Sequence, residues 1–186
     1  MFRRRSCYFW LILFSLGARE VYAATDEIRL IVLLRALAYD EALAARAGPR
    51  IVVALLTPGT GSDTALFASL QAVAKVTVRG LPIAVVELTY SGADALASEL
   101  EQKQISAVYL AAGLDAEVPA IVAITRAHKV RTLSSSEAYL RLGASLAALD
   151  TAGSDKPRLA VNIAASKQEG MALSAQLLQV AKHIEP

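Results

Sequence analysis

Short continuous apolar runs alternate along the chain with longer segments of helical periodicity. Runs that are apolar throughout and bounded by turn residues predict strands buried on both faces; they are Arg50–Leu56, Ile105–Ala111 and Val130–Leu133. Between and around them, capping residues and inward-facing leucines predict helices; these are Ser62–Lys75, Ser91–Gln104 and Ala116–His128. Alternating strands and helices are typical of a largely parallel sheet covered on both faces.

The ends of the chain extend this pattern. Thr25–Ala47 predicts one helix closed by Gly48 and Pro49, and a final helix is predicted over Ala164–His183 with Leu173, Leu177, Val180 and Ile184 buried. Strand-like pieces predict two further pairs; Val76–Val78 joins Ile83–Leu88 by a turn, and Gly143–Leu149 joins Arg158–Ile163 through a soft loop over Asp150–Pro157. We therefore expect a three-layer α/β fold, with a mixed and mostly parallel sheet, helices on both faces, and a C-terminal β-hairpin plus helix.

The first 23 residues have the features of a secretory signal peptide. A basic start is followed by an apolar run of about 13 residues, too short for a membrane span of roughly 20, and Val21-Tyr22-Ala23 is a small-x-small cleavage pattern. We expect cleavage after Ala23, a periplasmic location, and a mature chain, 24–186, that forms one domain without stable membrane insertion. The single cysteine, Cys7, lies in the segment to be removed, so thiol catalysis, disulfides and cysteine metal sites are excluded.

Composition narrows the function classes. The chain has 186 residues, 55% hydrophobic and 19% charged, which is typical of one folded domain. After residue 23, 15 Lys and Arg face 16 Asp and Glu, so no bulk positive charge supports nucleic-acid binding. The two histidines, His128 and His183, are not spaced as zinc ligands. The sequence also contains no Gly-x-Ser-x-Gly motif of the kind that holds a catalytic serine. We expect no catalytic residue, no metal and no cofactor.

Two loops at strand ends are the candidates for ligand binding. Thr57, Gly59, Gly61 and Ser62 follow the first buried strand, where backbone N–H groups and a helix start could hold an anion. Ser134 and Ser135 follow a later strand, and loops at the carboxyl ends of strands line one crevice in an open α/β sheet. A tight turn and a helix cap are the structural alternatives for these two loops.

Two further features concern packing. Apolar residues surround nearly the whole first helix, so something must cover them; a partner or homodimer interface through Ile28, Ile31 and Leu34 is one interpretation, and the chain's own core is the other. Asn162 is the one polar residue at an apolar strand end, and a structural hydrogen-bonding role at the start of the last helix is predicted for it.

The C-terminal segment resembles the closing segment of the YfiR/HmsC-type periplasmic proteins. It has a strand ending in Asn162-Ile163, an alanine-rich turn, Gly170, and then Ser174 ahead of Leu177-Leu178. Arg79–Ile83 resembles that family's strand start, and the likeness extends over Arg50–Ile184. The chain departs from the family in lacking cysteine pairs after residue 23 and in an aliphatic first helix.

This resemblance implies a non-enzymatic regulator. Such a protein would bind the periplasmic sensor region of an inner-membrane diguanylate cyclase and repress it, lowering cyclic di-GMP and biofilm formation. The alternative is a periplasmic small-molecule-binding α/β module that has no cyclase partner and uses the crevice at the strand ends.

Overall fold

The computed structural model of the protein describes residues 26–59 and 63–185. The strands are β1 (Ile51–Thr57), β2 (Thr77–Val78), β3 (Leu81–Thr89), β4 (Ala107–Leu110), β5 (Arg131–Ser134), β6 (Leu146–Thr151), β7 (Ser154–Val161) and β8 (Lys182–His183). The helices are α1 (26–37), α2 (Leu43–Ala47), α3 (Thr64–Val73), α4 (Ala93–Gln102), α5 (Val118–His128), α6 (Glu137–Arg141), α7 (Ile163–Gln168) and α8 (Ala175–Val180).

Within the described ranges the strands form one eight-stranded sheet in the order β2-β3-β1-β4-β5-β6-β7-β8. Neighbours from β3 to β6 are parallel. At the two ends, β2 is antiparallel to β3 and β7 is antiparallel to β6, while β8 is parallel to β7. The expected α/β fold with a mixed, mostly parallel sheet and a C-terminal hairpin is confirmed.

Two apolar layers cover the sheet. One face packs against α1, α2, α3 and α8 through residues such as Leu37, Leu70 and Leu177. The other face packs against α4, α5 and α6 through residues such as Ile121 and Leu140. All residues of β1 are buried, because this strand supplies side chains to both layers in alternation. That explains its continuous apolar run.

The prediction of one continuous helix over Thr25–Ala47 is wrong. The chain leaves α1 after residue 37 and begins α2 only at Leu43. Asp40 lies in the break and is fully buried. Its carboxylate accepts hydrogen bonds from Arg131 Nε at 2.7 Å, from Ala42 N at 3.0 Å and from Ala172 N at 2.9 Å. These hydrogen bonds offset the cost of burying the carboxylate in the break between α1 and α2.

The final predicted helix is also wrong, because the chain between Ala164 and His183 forms α7, α8 and the short strand β8. Gly170 ends the first piece with φ of +72°, a conformation that side chains rarely adopt, and the Ser174 hydroxyl caps the second piece by accepting from Leu177 N. Val180 is 69% exposed rather than buried, whereas Leu177 and Ile184 are buried as predicted.

Local capping and loop lengths differ in detail. Ser62 lies outside the described residues, and the N-cap of α3 is Asp63, whose side chain accepts from Leu66 N at 3.1 Å. The N-cap of α4 is Gly92, with no side-chain cap bond. The C-terminal hairpin keeps its ladder to the Thr151 and Ser154 pair, so its loop is much shorter than predicted.

Candidate functional site

The loops that follow β1, β4 and β5 lie next to one another at the carboxyl edge of the sheet. The neighbours β1 and β4 lead to α3 and α5, which pack on opposite faces. Such a reversal marks the place where open α/β sheets commonly bind ligands. The first two loops are in close approach, since a Cβ atom at Gly113 would lie 3.5 Å from Pro58 Cγ.

The structure places the residues predicted from the first loop in different environments. Thr57 is buried, and its hydroxyl donates to Leu88 O at 3.3 Å, so it is used within the sheet. Gly59 is exposed. Gly61 and Ser62 lie outside the described residues.

The serine loop after β5 combines one structural and one accessible hydroxyl. Ser134 is buried and its Oγ accepts from Ser136 N at 3.0 Å, which is a local turn. Ser135 is exposed, and its side chain lies close enough to the Tyr109 phenol to lower the pKa of that group. Ser136 is the N-cap of α6 but makes no side-chain cap bond. The structure thus brings Ser135 to the edge.

Tyr109 is the component of this edge that the sequence analysis missed. It belongs to β4 and is buried, and burial raises the pKa of its phenol while the hydrogen bond from Ser135 acts in the opposite direction. Asp26, Arg29 and Asp63 are close enough to influence that pKa electrostatically. An aromatic residue in an apolar run usually belongs to the hydrophobic core. Only the position of Tyr109 near the end of its strand could have indicated a role in a binding site.

Charge at this edge is largely compensated. Arg29 bridges Asp26 at 2.6 Å and Asp150 at 3.0 Å, which joins the start of α1 to the end of β6. We define the carboxyl-edge site as Arg29, Gly59, Tyr109, Ser134 and Ser135. Its groups are suited to hydrogen bonding and to recognition of a polar ligand.

Both histidines lie away from these hydroxyls. His128 Nδ1 is 3.4 Å from Glu101 Oε1 at the opposite, amino edge of the sheet. His183 Nε2 lies 2.8 Å from Leu178 O in the C-terminal segment. Neither imidazole contacts Ser134 or Ser135, so the described residues do not assemble a serine with a base. Among those residues there is also no group of three His, Cys, Asp or Glu side chains that could hold a metal.

The amino edge holds a cavity of about 310 Å³ that the sequence analysis did not anticipate. Arg46, His128, Lys129 and Arg131 contribute to its lining. Arg131 is committed to Asp40, with Nη2 to Oδ2 at 2.6 Å, and Lys129 Nζ donates to Gln168 O at 2.9 Å. This cavity therefore lies beside a network that ties distant segments together.

Glu169 is the second buried carboxylate of that region. It accepts hydrogen bonds from Thr132 N at 2.9 Å and from Thr132 Oγ1 at 2.6 Å. Burial raises the pKa of this carboxyl to about 7, and the hydrogen bonds from Ser145 and Thr132 and the charge of Arg126 oppose the rise. The carboxyl sits at the C-cap of α7, where negative charge is disfavoured by the helix dipole.

The predicted role of Asn162 is confirmed. Its side chain is buried, accepts from Ala165 N at 2.9 Å as the N-cap of α7, and donates to Leu140 O at 2.9 Å. This residue of the C-terminal motif is thus a structural joint between α6 and α7.

The three α1 residues predicted at an interface differ in exposure. Leu34 is buried in the chain's own core together with Leu30, Leu33 and Leu37. Ile28 is 40% exposed and Ile31 is half-buried. Of these three residues, Ile28 therefore offers the most apolar surface to another molecule.

Comparison with known proteins gives one family and several structural neighbours. The model of the YfiR/HmsC-like family matches residues 32–182. No curated protein matches the chain. Among the described residues, no helix has the length and apolarity needed to cross a membrane.

The structural neighbours share the fold at low sequence identity. An open, ligand-free substrate-binding protein with adhesive properties from Clostridium difficile has a TM-score of 0.57 and 12% identity, over 78% of this chain and 58% of that one. A conserved domain protein from Vibrio cholerae has a TM-score of 0.55 and 13% identity, over 77% of this chain and 58% of that one. The ABC domain in complex with L-Trp from Streptococcus pneumoniae has a TM-score of 0.52 and 12% identity, over 80% of this chain and 60% of that one. The chain thus spans about three fifths of each of these structures.

Proposed function

The chain belongs to the YfiR/HmsC-like family of periplasmic regulators of cyclic di-GMP signalling, and from this membership we propose that it binds and represses an inner-membrane diguanylate cyclase. The contact is made with the periplasmic sensor region of the cyclase, after export and removal of residues 1–23. Repression lowers cyclic di-GMP and biofilm formation, and the chain itself catalyses no reaction.

The observation that carries the proposal is the extent of the family match. It runs from residue 32, within α1, to residue 182, at the start of β8, and includes the joints at Asn162, Gly170 and Ser174 that shape the C-terminal segment. The histidines lie far from the serine hydroxyls at the carboxyl edge, which supports action by protein contact rather than by acyl transfer.

Ile28 and Ile31 are the residues that we assign to the cyclase contact. Exposed apolar side chains on a surface helix are suited to a protein interface, and Ile28 is exposed on α1 with Ile31 one turn further along. Leu34 supports this surface from within the core rather than touching the partner.

The test measures cellular cyclic di-GMP in the native host with the gene present, deleted and restored. Deletion raises cyclic di-GMP, and the full-length gene reverses the rise while a version without residues 1–23 does not. Ile28→Asp fails to reverse it, whereas Leu142→Asp, a matched control at 42% exposure against 40% for Ile28, reverses it fully. No rise on deletion would refute repression, and equal behaviour of the two variants would refute the α1 surface.

A second candidate is binding of a small polar molecule at the carboxyl-edge site. The proximity of the Tyr109 and Ser135 side chains beside the β1 and β4 loops favours it, as does the fold shared with a substrate-binding protein and with a domain bound to L-Trp. A thermal-shift screen of amino acids, nucleotides and cell-wall fragments tests it, because a ligand raises stability by mass action. This site is contradicted if no compound raises the melting temperature. It is also contradicted if a compound stabilises the double variant, Tyr109→Phe with Ser135→Ala, as much as the wild type.

A further inference from the structure

The cavity at the amino edge lies where three neighbouring strands begin. Its lining comes from the segments that lead from α2 into β1, from α4 into β4 and from α5 into β5, and these strands are adjacent in the sheet. The carboxyl-edge site lies at the other ends of the same strands, so the two places are separate. A volume of about 310 Å³ is at the small end of the range for ligand pockets.

The helices α4, α5, α6 and α7 all end with the same pair of backbone hydrogen bonds. In each, one N–H donates to the carbonyl five residues earlier, and the N–H before it donates to the carbonyl three residues earlier. This ending places one residue in the left-handed conformation, where glycine is usual. Two of the four helices follow the rule, with Gly143 after α6 at φ of +108° and Gly170 after α7 at +72°.

The other two helices keep a side chain at the same position. Gln104 follows α4 with φ of +52°, and Lys129 ends α5 with φ of +56°. Left-handed backbone disfavours residues that have a Cβ atom. Both side chains line the amino-edge cavity, and that of Gln104 makes no hydrogen bond within the described ranges. Residues held in a disfavoured conformation cluster at ligand sites, so the pair indicates a use for the cavity.

Two exposed cations of the lining have donors to spare. Arg46 forms no ion pair or hydrogen bond with another described residue. Its guanidinium lies against Gly170, where an added Cβ atom would collide with it. Lys129 Nζ donates to Gln168 O at 2.9 Å, which leaves two of its three N–H groups free. Both charged heads therefore lie beside the end of α7 and remain open to solvent.

The remaining charged groups of the lining are engaged. Arg131 is paired with the buried Asp40, and Glu101 lies 3.4 Å from the Nδ1 atom of His128. The uncompensated charge of the cavity is thus the positive charge of Arg46 and Lys129. Apolar side chains provide much of the other lining; they include Pro49, Leu100, Ile105 and Val130.

We propose that the amino-edge cavity binds a small organic anion whose phosphate or carboxylate group is held by Arg46 and Lys129. Guanidinium and ammonium groups are the usual partners of both anionic groups. Gln104 donates to a further acceptor, and the apolar lining contacts the body of the ligand. Helix carbonyl ends also attract cations by themselves, but that effect needs no cavity and gives no reason for a side chain at Gln104.

The first test measures binding of defined probes by isothermal titration calorimetry at near-physiological salt. The probes are phenyl phosphate, phenylacetate and the neutral 2-phenylethanol, and the protein is expressed from the full-length gene and recovered from the periplasm. At least one anion should bind with a dissociation constant below about 1 mM, and the neutral compound at least about tenfold more weakly. The tighter anion identifies the charged group as phosphate or carboxylate. Binding of neither anion, or equal binding of the neutral compound, overturns the proposal.

The second test removes the two charges one at a time. Arg46→Gln and Lys129→Gln should each weaken the anion at least about tenfold, because each removes a charge-assisted hydrogen bond. Arg158→Gln, which removes an exposed arginine charge on β7 outside the cavity, should leave the affinity unchanged. A ligand at the carboxyl-edge site would bind all three variants alike, and that result, like unchanged affinity in both cavity variants, overturns the proposal.

The third test separates ligand binding from a purely structural role. Glycine adopts the left-handed conformation without strain, so Gln104→Gly should melt at a higher temperature than the wild type. The same variant should bind the anion at least about threefold more weakly, because it loses a donor to the ligand. A variant that melts at a lower temperature, or that binds as tightly as the wild type, overturns the assignment of this side chain to the site.

Discussion

The buried carboxyl of Glu169 makes the stability of this protein depend on pH in a direction opposite to that of most carboxylates. The unfolded chain releases this proton near the ordinary value of 4.5, and the folded chain retains it up to about 7. Between these values the folded state binds more protons than the unfolded state. Stability therefore falls as pH rises through this window and is constant above it.

The magnitude follows from the two pKa values. Each pH unit between them is worth about 1.4 kcal/mol, so the interval from 4.5 to about 7 corresponds to roughly 3 kcal/mol of lost stability. That figure already contains the opposing hydrogen bonds from Ser145 and Thr132. Glu169→Gln keeps an oxygen acceptor for Thr132 and removes the titration.

The assay compares urea unfolding of the wild type and of Glu169→Gln from pH 4 to pH 8. The stability of the variant minus that of the wild type should increase by about 3 kcal/mol across the range, and most of the increase should lie between pH 4.5 and 7. The other ionisable groups are common to the two proteins, so their contributions cancel in the difference. A difference that changes by less than about 1 kcal/mol, or that decreases with pH, would refute the reasoning.

Three further predictions concern other parts of the chain. Asp40→Ala should cost about 3–5 kcal/mol of unfolding free energy, because a buried guanidinium loses its counter-charge, and Glu41→Ala, its exposed neighbour, less than about 0.5 kcal/mol; equal costs would contradict this. Asn162→Ala should destabilise more than Ser174→Ala, since both remove a cap bond but only Asn162 is buried and donates a second hydrogen bond, to Leu140 O; urea unfolding decides the order. Mass spectrometry of the periplasmic protein should find Ala24 as its first residue, and an intact N-terminus would show that the predicted cleavage does not occur.

The α/β architecture could be predicted because its central strands are buried on both faces. β1 is an apolar run for that reason, and glycine or proline marks its ends. The breaks at Asp40 and Gly170 were missed for different reasons. The break at Asp40 depends on Arg131, which is remote in sequence. Gly170 is a helix breaker, but the helical propensity of its neighbours predicts a helix that continues through it.

The positions of the candidate loops could be predicted from the sequence, but the contacts of their residues could not. Loops at strand ends can be located from the order of elements, and Ser135 does lie at the carboxyl edge. The contribution of Tyr109 depends on which side chain of a buried strand reaches the edge, and the use of Thr57 within the sheet depends on Leu88 in a neighbouring strand. Such pairings appear only when the strands are assembled.

The carboxylate of Asp40 joins residues 91 and 132 positions later in the chain, Arg131 and Ala172. During synthesis the first helix therefore emerges long before its counter-ion exists, and the last partner appears only when most of the chain has left the ribosome. Contacts that close such long loops form late. A polypeptide built in this way cannot complete the hydrogen bonds of Asp40 until residue 172 has been made.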